Sequence, residues 1–142
     1  MFPIDSFSIT DKLFRLNENI KLIEDVTRKP QKEIIEDRLR YRGVEHLLQI
    51  SIEIIFDIGS HVLAEEFGEN PKTYQDIISA LGQRGVIGKK FAEEQMEMAK
   101  FRNKLVHDYD TIDDVKVIEY ARAAPDIFRT FGKAFSDFLK KK

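Results

Sequence analysis

A long apolar stretch in the first half of the chain constrains the fold more than any other feature. Residues 47–63 are apolar on nearly every side of a helix, because large aliphatic and aromatic residues follow one another with few gaps. They are Leu47, Leu48, Ile50, Ile52, Ile54, Ile55, Phe56, Ile58, Val62 and Leu63. A helix that is hydrophobic all round is buried among other elements. We therefore expect a central helix over about residues 31–66, packed against neighbours on most sides.

The rest of the chain predicts further helices around the central one. Apolar residues recur at helical spacing, and no strand-like alternation is sustained anywhere. The first predicted helix begins between residues 5 and 11 and ends near residue 29, and the others cover about residues 73–81, 87–106 and 113–139. Pro125 lies inside the last helix and is expected to kink or split it. The sequence thus predicts an all-α, up-and-down bundle of four main helices plus one short helix, in a single domain over residues 1–142.

Composition limits the chemistry and the location of the protein. The chain has no cysteine, which excludes disulfides, thiolate metal sites and thiol catalysis. Its N-terminus lacks the basic segment and apolar segment of an export signal, and we expect no apolar run long enough to span a membrane. A cytoplasmic location is the resulting expectation.

The charge of the chain limits how it can bind nucleic acid. A formal net charge of −2 argues against a broad surface for nucleic acid, because non-specific binders are usually basic overall. Any such contact is therefore expected to be local. The basic clusters are Lys89-Lys90, then Lys100, Arg102 and Lys104, and finally residues 140–142. Spacing alone favours solvated helix faces or favourable helix C-termini for each cluster.

The central helix carries one polar stripe. Six polar residues fall within an arc of about 120° on this helix. They are His46, Gln49, Glu53, Asp57, Ser60 and His61. The pattern alone favours a stripe that faces solvent, and the alternative is a stripe that lines a cleft or a subunit interface. A metal site formed by His46 and His61 is not expected, because they lie about four helical turns apart.

The stretch from Arg102 to Tyr109 carries groups suited to phosphodiester chemistry. A histidine that titrates near neutrality can transfer protons, and an arginine can hold a phosphate through two parallel hydrogen bonds. On an ideal helix Arg102 and His107 point about 140° apart, so they converge only if the helix ends before His107. Asp108, Asp110 and the neighbouring threonine favour such a turn. Spacing alone favours a structural role, with Arg102 in a salt bridge and His107 capping the helix.

This stretch resembles the R-x-x-x-x-H-x-Y signature of HEPN domains, in their HepT-like (DUF86) branch. Residues 57–61, 68–74 and 81–88 are also similar to that branch in order and spacing. The resemblance extends over about residues 31–140.

The resemblance implies the toxin of a type VII, HepT/MntA-like toxin-antitoxin system. Such a protein is a metal-independent endoribonuclease without a cofactor, active on RNA and not on DNA, as a homodimer or higher oligomer. Arg102 and His107 match the catalytic residues, and Asn103 matches the polar residue that commonly follows the arginine. Tyr109 matches the tyrosine that the nucleotidyltransferase antitoxin modifies with AMP. The alternative is a non-catalytic HEPN interaction module that binds or regulates a nucleotidyltransferase.

Overall fold

Every regular element of the protein is a helix in the computed structural model, which describes residues 6–107 and 112–141. The helices are α1 (Ser6–Val26), α2 (Gln31–Glu36), α3 (Arg38–Phe67), α4 (Tyr74–Gln83), α5 (Lys89–Glu94), α6 (Met96–His107) and α7 (Asp114–Lys140). The all-α prediction is confirmed. Two of the predicted helices are each divided in two, so the described residues form seven helices where five were expected.

Helix α3 is the centre of the bundle, as its apolar sequence predicted. It contacts α1, α2, α4, α6 and α7, and the long helices α1, α3 and α7 pack against one another. Three phenylalanines of α7 (Phe128, Phe131 and Phe135) and three aliphatic residues of α1 (Leu16, Ile20 and Ile23) are fully buried beside it. Burial of a large apolar side chain contributes about 1.5–3 kcal/mol. The core therefore determines where the surface residues of α3 and α6 face.

By length and composition α3 also meets the criteria for a membrane-spanning helix. This finding corrects the expectation that no apolar run would be long enough. The central helix of a bundle meets the same criteria, because it too is apolar on most sides. Here the apolar side chains of α3 contact the surrounding helices of the same chain.

The first unexpected break separates α2 from α3 at Asp37. This residue has an extended backbone (φ −83°, ψ 93°), and its carboxylate accepts a hydrogen bond of 3.2 Å from the backbone N–H of Arg40. Aspartate is a preferred N-cap because it satisfies a backbone donor that the first helical turn leaves free. The predicted helix over residues 31–66 was therefore wrong at this point, since the cap is a local signal within a continuing apolar pattern.

The second break separates α5 from α6 at Gln95. Its backbone N–H donates to the carbonyl oxygens of Phe91 and Ala92, at 3.0 and 3.2 Å, and its side chain is buried. Its backbone (φ −91°, ψ 6°) departs from the helical conformation, and α6 begins at the next residue. By contrast, α7 is a single helix that continues through the buried Pro125, so the expected split does not occur.

Close approach of α4 and α5 depends on Gly82. A Cβ atom added there would lie 2.7 Å from the Cβ of Ala92, which is rigidly attached to α5. We expect Gly82→Ala to lower the free energy of unfolding by about 1–2 kcal/mol, because this overlap outweighs the gain in helix propensity. Urea unfolding followed by circular dichroism measures the change.

Gly43 provides the matched control for this substitution. It lies on the exposed side of α3, and a Cβ atom there would meet nothing within 4 Å. Gly43→Ala should therefore raise the free energy of unfolding by about 0.5–1 kcal/mol. Equal effects of the two substitutions would contradict the proposed packing of α4 against α5.

Candidate functional site

The side chain of Arg102 points from α6 into the junction with α3 and α4. Its Nη2 donates to Oε1 of Glu53 at a distance of 3.0 Å, and its Cζ lies 4.6 Å from the centroid of the Tyr74 ring. The exposed fractions of the Arg102 and Glu53 side chains are 15% and 34%. An ion pair this far from solvent is less screened than a surface pair, and the aromatic face adds a cation–π contact. The guanidinium group is thus held in one place by two other helices.

Both partners of Arg102 are themselves supported. The Nε2 of Gln49, one turn earlier on α3, donates to the same Glu53 oxygen at 3.4 Å. The ring of Tyr74 packs on that of Phe56, with 4.4 Å between centroids. Side chains ordered in this way lose less conformational freedom when they act on a ligand. Arg102 therefore lies where three helices meet, and other side chains hold both of its partners in place.

One donor of this arginine has no acceptor. The Nε atom of Arg102 is buried and forms no hydrogen bond with any residue that the structure describes. A buried donor without a partner costs about 1–3 kcal/mol. An oxygen ligand that reached this edge of the guanidinium group would recover that energy.

Glu53 also lines a cleft between α1 and α3, together with Asp57. The cleft has a volume of about 380 Å³, and its lining also includes Ile50 and Ile54. Two members of the predicted polar stripe therefore line a cleft, while His46 at the other end of the stripe is exposed to solvent. Both interpretations of the stripe thus hold, each for part of its length.

His107 is the last residue of α6 and is exposed. The expectation that the helix ends before His107 is therefore wrong. The preceding Leu105 is buried, with 6% of its surface exposed, and it anchors the last turn of the helix in the core. Because the helix includes His107, this residue and Arg102 point about 140° apart and do not converge within one chain.

Of the other two predicted site residues, Asn103 lies within the described residues and Tyr109 does not. Asn103 follows Arg102 on α6 and is half-buried. Tyr109 lies outside the described residues, as do the polar residues expected to form a turn after His107. Among the described residues, no group of three or more histidine, aspartate or glutamate side chains is arranged to hold a metal ion.

Helix α6 is fixed against the bundle on the side away from the solvent. The ring of Phe101 stacks on that of Tyr120 in α7, with 4.2 Å between centroids, and Met98 and Ala99 are buried. Burial raises the pKa of the Tyr120 hydroxyl well above its ordinary value, so this group stays neutral. Arg102, Asn103 and His107 therefore lie on a helix that is fixed against the bundle.

The sequence matches the family described as Ribonuclease HepT-like over residues 16–134. The chain belongs to this family. The match includes the polar stripe of α3 and all of α6, and therefore includes Glu53, Arg102 and His107.

Two relatives are each 26% identical to this HepT-like chain. The putative RNase YutE of Bacillus subtilis (strain 168) aligns over 140 residues, which are 99% of this chain and 93% of YutE. The tRNA nuclease HepT of Aphanizomenon flos-aquae (strain 2012/KM1/D3) aligns over 103 residues, which are 72% of this chain and 68% of that protein.

Solved structures share the fold. YutE from Bacillus subtilis, described as a cytosolic protein, superposes with a TM-score of 0.86 at 19% identity, over 99% of this chain and 94% of YutE. A tri-AMPylated HEPN toxin of Shewanella oneidensis, in complex with an MNT antitoxin, gives a TM-score of 0.83 at 23% identity, over 96% and 99% of the two chains. A toxin-antitoxin structure with AMP-PNP gives 0.79 at 22% identity, over 95% and 99%. The HepT-like chain therefore has the HEPN toxin fold.

Sequence reasoning did not identify the residues that hold Arg102 in the HepT-like chain. Glu53 appeared only as one of six polar residues on a stripe, and Tyr74 only as a residue of the predicted short helix and of the family-like segment over residues 68–74. Glu53 lies 49 positions before Arg102, and no local pattern links residues at that separation. A carboxylate on an otherwise apolar helix is the feature of the sequence that could have indicated this contact. Such a group needs a partner when it is partly buried.

Proposed function

We propose that this chain is a metal-independent endoribonuclease, the toxin of a HepT/MntA-like toxin-antitoxin system. The observation that carries the proposal is the arrangement on α6, where Arg102 is held by Glu53 and Tyr74 and His107 is exposed at the end of the helix. Family membership and the names of the two nuclease relatives support the same activity.

The proposed reaction is cleavage by the neighbouring ribose hydroxyl. His107 removes the proton of the 2′-hydroxyl, the 2′-oxygen attacks the adjacent phosphorus, and the bond from phosphorus to the 5′-oxygen breaks. Arg102 stabilises the negative charge that builds on the phosphoryl oxygens. The leaving 5′-oxygen takes a proton from His107 of the partner subunit. The products are a 2′,3′-cyclic phosphate and a 5′-hydroxyl, and DNA is not cleaved because it lacks the nucleophile.

A homodimer accounts for the directions of the two side chains. Arg102 and His107 diverge on one helix, so a site containing both groups is best formed where two copies of α6 approach each other. The Nε–H of Arg102 lacks an acceptor in the described chain and is the donor we assign to the phosphate. Binding of RNA then requires a small movement of the guanidinium group toward the cleft.

The proposed partner is a nucleotidyltransferase antitoxin that transfers AMP to Tyr109. The chain has four tyrosines, and the hydroxyls of Tyr41 and Tyr120 are buried. Burial is also the main reason that the pKa of each of these two hydroxyls is raised. The ring of Tyr74 is packed against Phe56 and Arg102. AMP on Tyr109 would add a bulky anionic group two residues from His107 and repel RNA.

Substitution of Tyr109 tests this regulation. Incubation of the wild-type protein with a cognate nucleotidyltransferase and ATP should abolish its RNA cleavage, whereas Tyr109→Phe should remain active because it lacks the acceptor hydroxyl. Cleavage assays and intact-mass measurement on the same samples detect the two effects. Equal silencing of the variant would place the modification at another residue.

An RNA cleavage assay in EDTA tests the proposed function itself. The pure protein, incubated with single-stranded RNA and excess EDTA, should give products that end in a 2′,3′-cyclic phosphate. A DNA strand of the same sequence should remain intact. Loss of cleavage in EDTA, or products with a 3′-hydroxyl, would rule out the mechanism.

A second candidate function is a non-catalytic module that regulates a nucleotidyltransferase. The burial of Arg102 and its pairing with Glu53 favour this alternative, because both limit access to the arginine. Expression of the chain alone should distinguish the two functions. Growth arrest that Arg102→Ala relieves supports the toxin, and normal growth supports the regulatory module. For either function we propose one helical domain in the cytoplasm, as YutE is described as cytosolic.

A further inference from the structure

Helix α6 separates the basic residues that are neighbours in the sequence. At about 100° per residue, Lys100, Lys104 and His107 lie within about 60° of one another around the helix axis, while Arg102 points to the other side. All three are exposed, whereas Arg102 contacts Glu53 and Tyr74. We call these three residues the basic face of α6. The basic residues that cluster in the sequence therefore separate in the structure. Lys100 and Lys104 face solvent, whereas Arg102 contacts α3 and α4.

The side chains that the structure describes neutralise little of the positive charge of this face. Lys100 lies 3.4 Å from Glu97, but both side chains are exposed, at 60% and 79%, and such pairs contribute little. Lys104 has no ion pair with another described residue. Like charges one turn apart on a helix repel each other, so an anion bound between them would relieve the repulsion.

We propose that the basic face of α6 binds the phosphate backbone of the RNA strand that flanks the cleaved bond. Lys104 and Lys100 lie about 4.5 and 10 Å from His107 along the helix axis, so a strand that reaches His107 passes both ammonium groups. Lysine is a flexible point charge that contacts phosphate without selecting a base. The proposal rests on the proposed nuclease function, and it assigns substrate binding to Lys100 and Lys104, which lie outside the catalytic pair.

The salt dependence of RNA binding tests this assignment. A fluorescein-labelled single strand of 2′-O-methyl RNA is bound but not cleaved, since it lacks the free hydroxyl, and fluorescence anisotropy at a series of KCl concentrations gives its affinity. For single strands the logarithm of the affinity falls by about 0.7 per contacted phosphate for each tenfold increase in salt. The double variant Lys100→Ala/Lys104→Ala should therefore show a slope smaller by about 1.4.

The matched control is Lys89→Ala/Lys90→Ala. This pair is exposed at the start of α5 and changes the net charge by the same amount. The control should keep the wild-type slope. An unchanged slope in the α6 variant, an equal decrease in both variants, or no binding of RNA by the wild-type protein would each overturn the proposal. Tighter binding to poly-glutamate than to RNA, lost in the same α6 variant, would instead assign the face to an acidic protein.

Cleavage of unmodified RNA separates this inference from the function on which it rests. If the wild-type protein binds RNA through the two lysines but does not cleave it, the nuclease proposal fails and the inference stands. If it cleaves RNA and the α6 variant binds like the wild type, the inference alone fails. Where both hold, the variant should raise KM and leave kcat unchanged.

Discussion

Replacement of His107 by alanine is expected to lower RNA cleavage by at least about 10⁴-fold, which is below detection in most assays. In the proposed reaction one histidine acts as base and the histidine of the second copy acts as acid, so a single substitution removes both groups from every site. Because His107 is exposed at the end of α6, its removal leaves no cavity, and the free energy of unfolding should change little. Gel analysis of labelled RNA and urea unfolding measure these two effects.

Substitutions at Arg102 complete this prediction. Arg102→Ala should lower kcat about 10²–10³-fold, the usual effect of removing one donor that stabilises transition-state charge. Arg102→Lys should not restore activity, because an ammonium group lacks the planar donors that pair with a carboxylate and stack on an aromatic ring.

Arg28→Lys serves as the control for Arg102→Lys. Arg28 is 78% exposed just after α1, where it pairs with Asp25, and its substitution should leave cleavage unchanged. Full activity of either the His107 or the Arg102 variant would exclude the proposed mechanism.

Replacement of Glu53 by alanine is expected to reduce both stability and cleavage. The substitution leaves the largely buried guanidinium of Arg102 without its carboxylate, which should lower the free energy of unfolding by about 2 kcal/mol. Cleavage should fall about 10²-fold, because a small displacement of a catalytic group has effects of this size. Glu53→Gln keeps an acceptor oxygen for Nη2 and should recover most of the activity.

A second interhelical pair provides the control for Glu53. Glu24 of α1 pairs with Arg129 of α7 at 2.7 Å, but the two side chains are 38% and 46% exposed. Glu24→Ala should therefore lower the free energy of unfolding less than Glu53→Ala does, and it should leave cleavage unchanged. The side-chain Nε–H signal of Arg102 in an NMR spectrum gives an independent measurement, since Glu53→Ala should shift or broaden it even if the protein is not a nuclease. An unaltered signal and wild-type activity would show that Glu53 does not position Arg102.

The apolar pattern of the sequence predicted the helical architecture well. The all-round apolar segment over residues 47–63 indicated a buried central helix, and α3 is that helix. The breaks at Asp37 and Gln95 were missed because the apolar spacing continues across both positions. At Asp37 an extended backbone and a side-chain cap interrupt the helix, and at Gln95 the backbone leaves the helical conformation, while the pattern of burial continues.

The candidate site was predicted only in part. Arg102, Asn103 and His107 were identified because they form a local pattern, and the structure places all three on α6. The expectation that Arg102 and His107 converge at a frayed helix end was wrong, since Leu105 anchors the last turn in the core. The spacing of residues in a sequence does not show how strongly one buried side chain stabilises the end of a helix.

By itself, the sequence determined the helical class, the central helix and the chemical groups near the end of α6. These follow from short-range periodicity and residue type, which act within a few turns of helix. Only the tertiary structure decided which of the clustered basic residues faces the protein and which face solvent. Arg102 meets Glu53 and Tyr74 because α6 packs against α3 and α4, and that packing depends on core contacts between residues far apart in the chain.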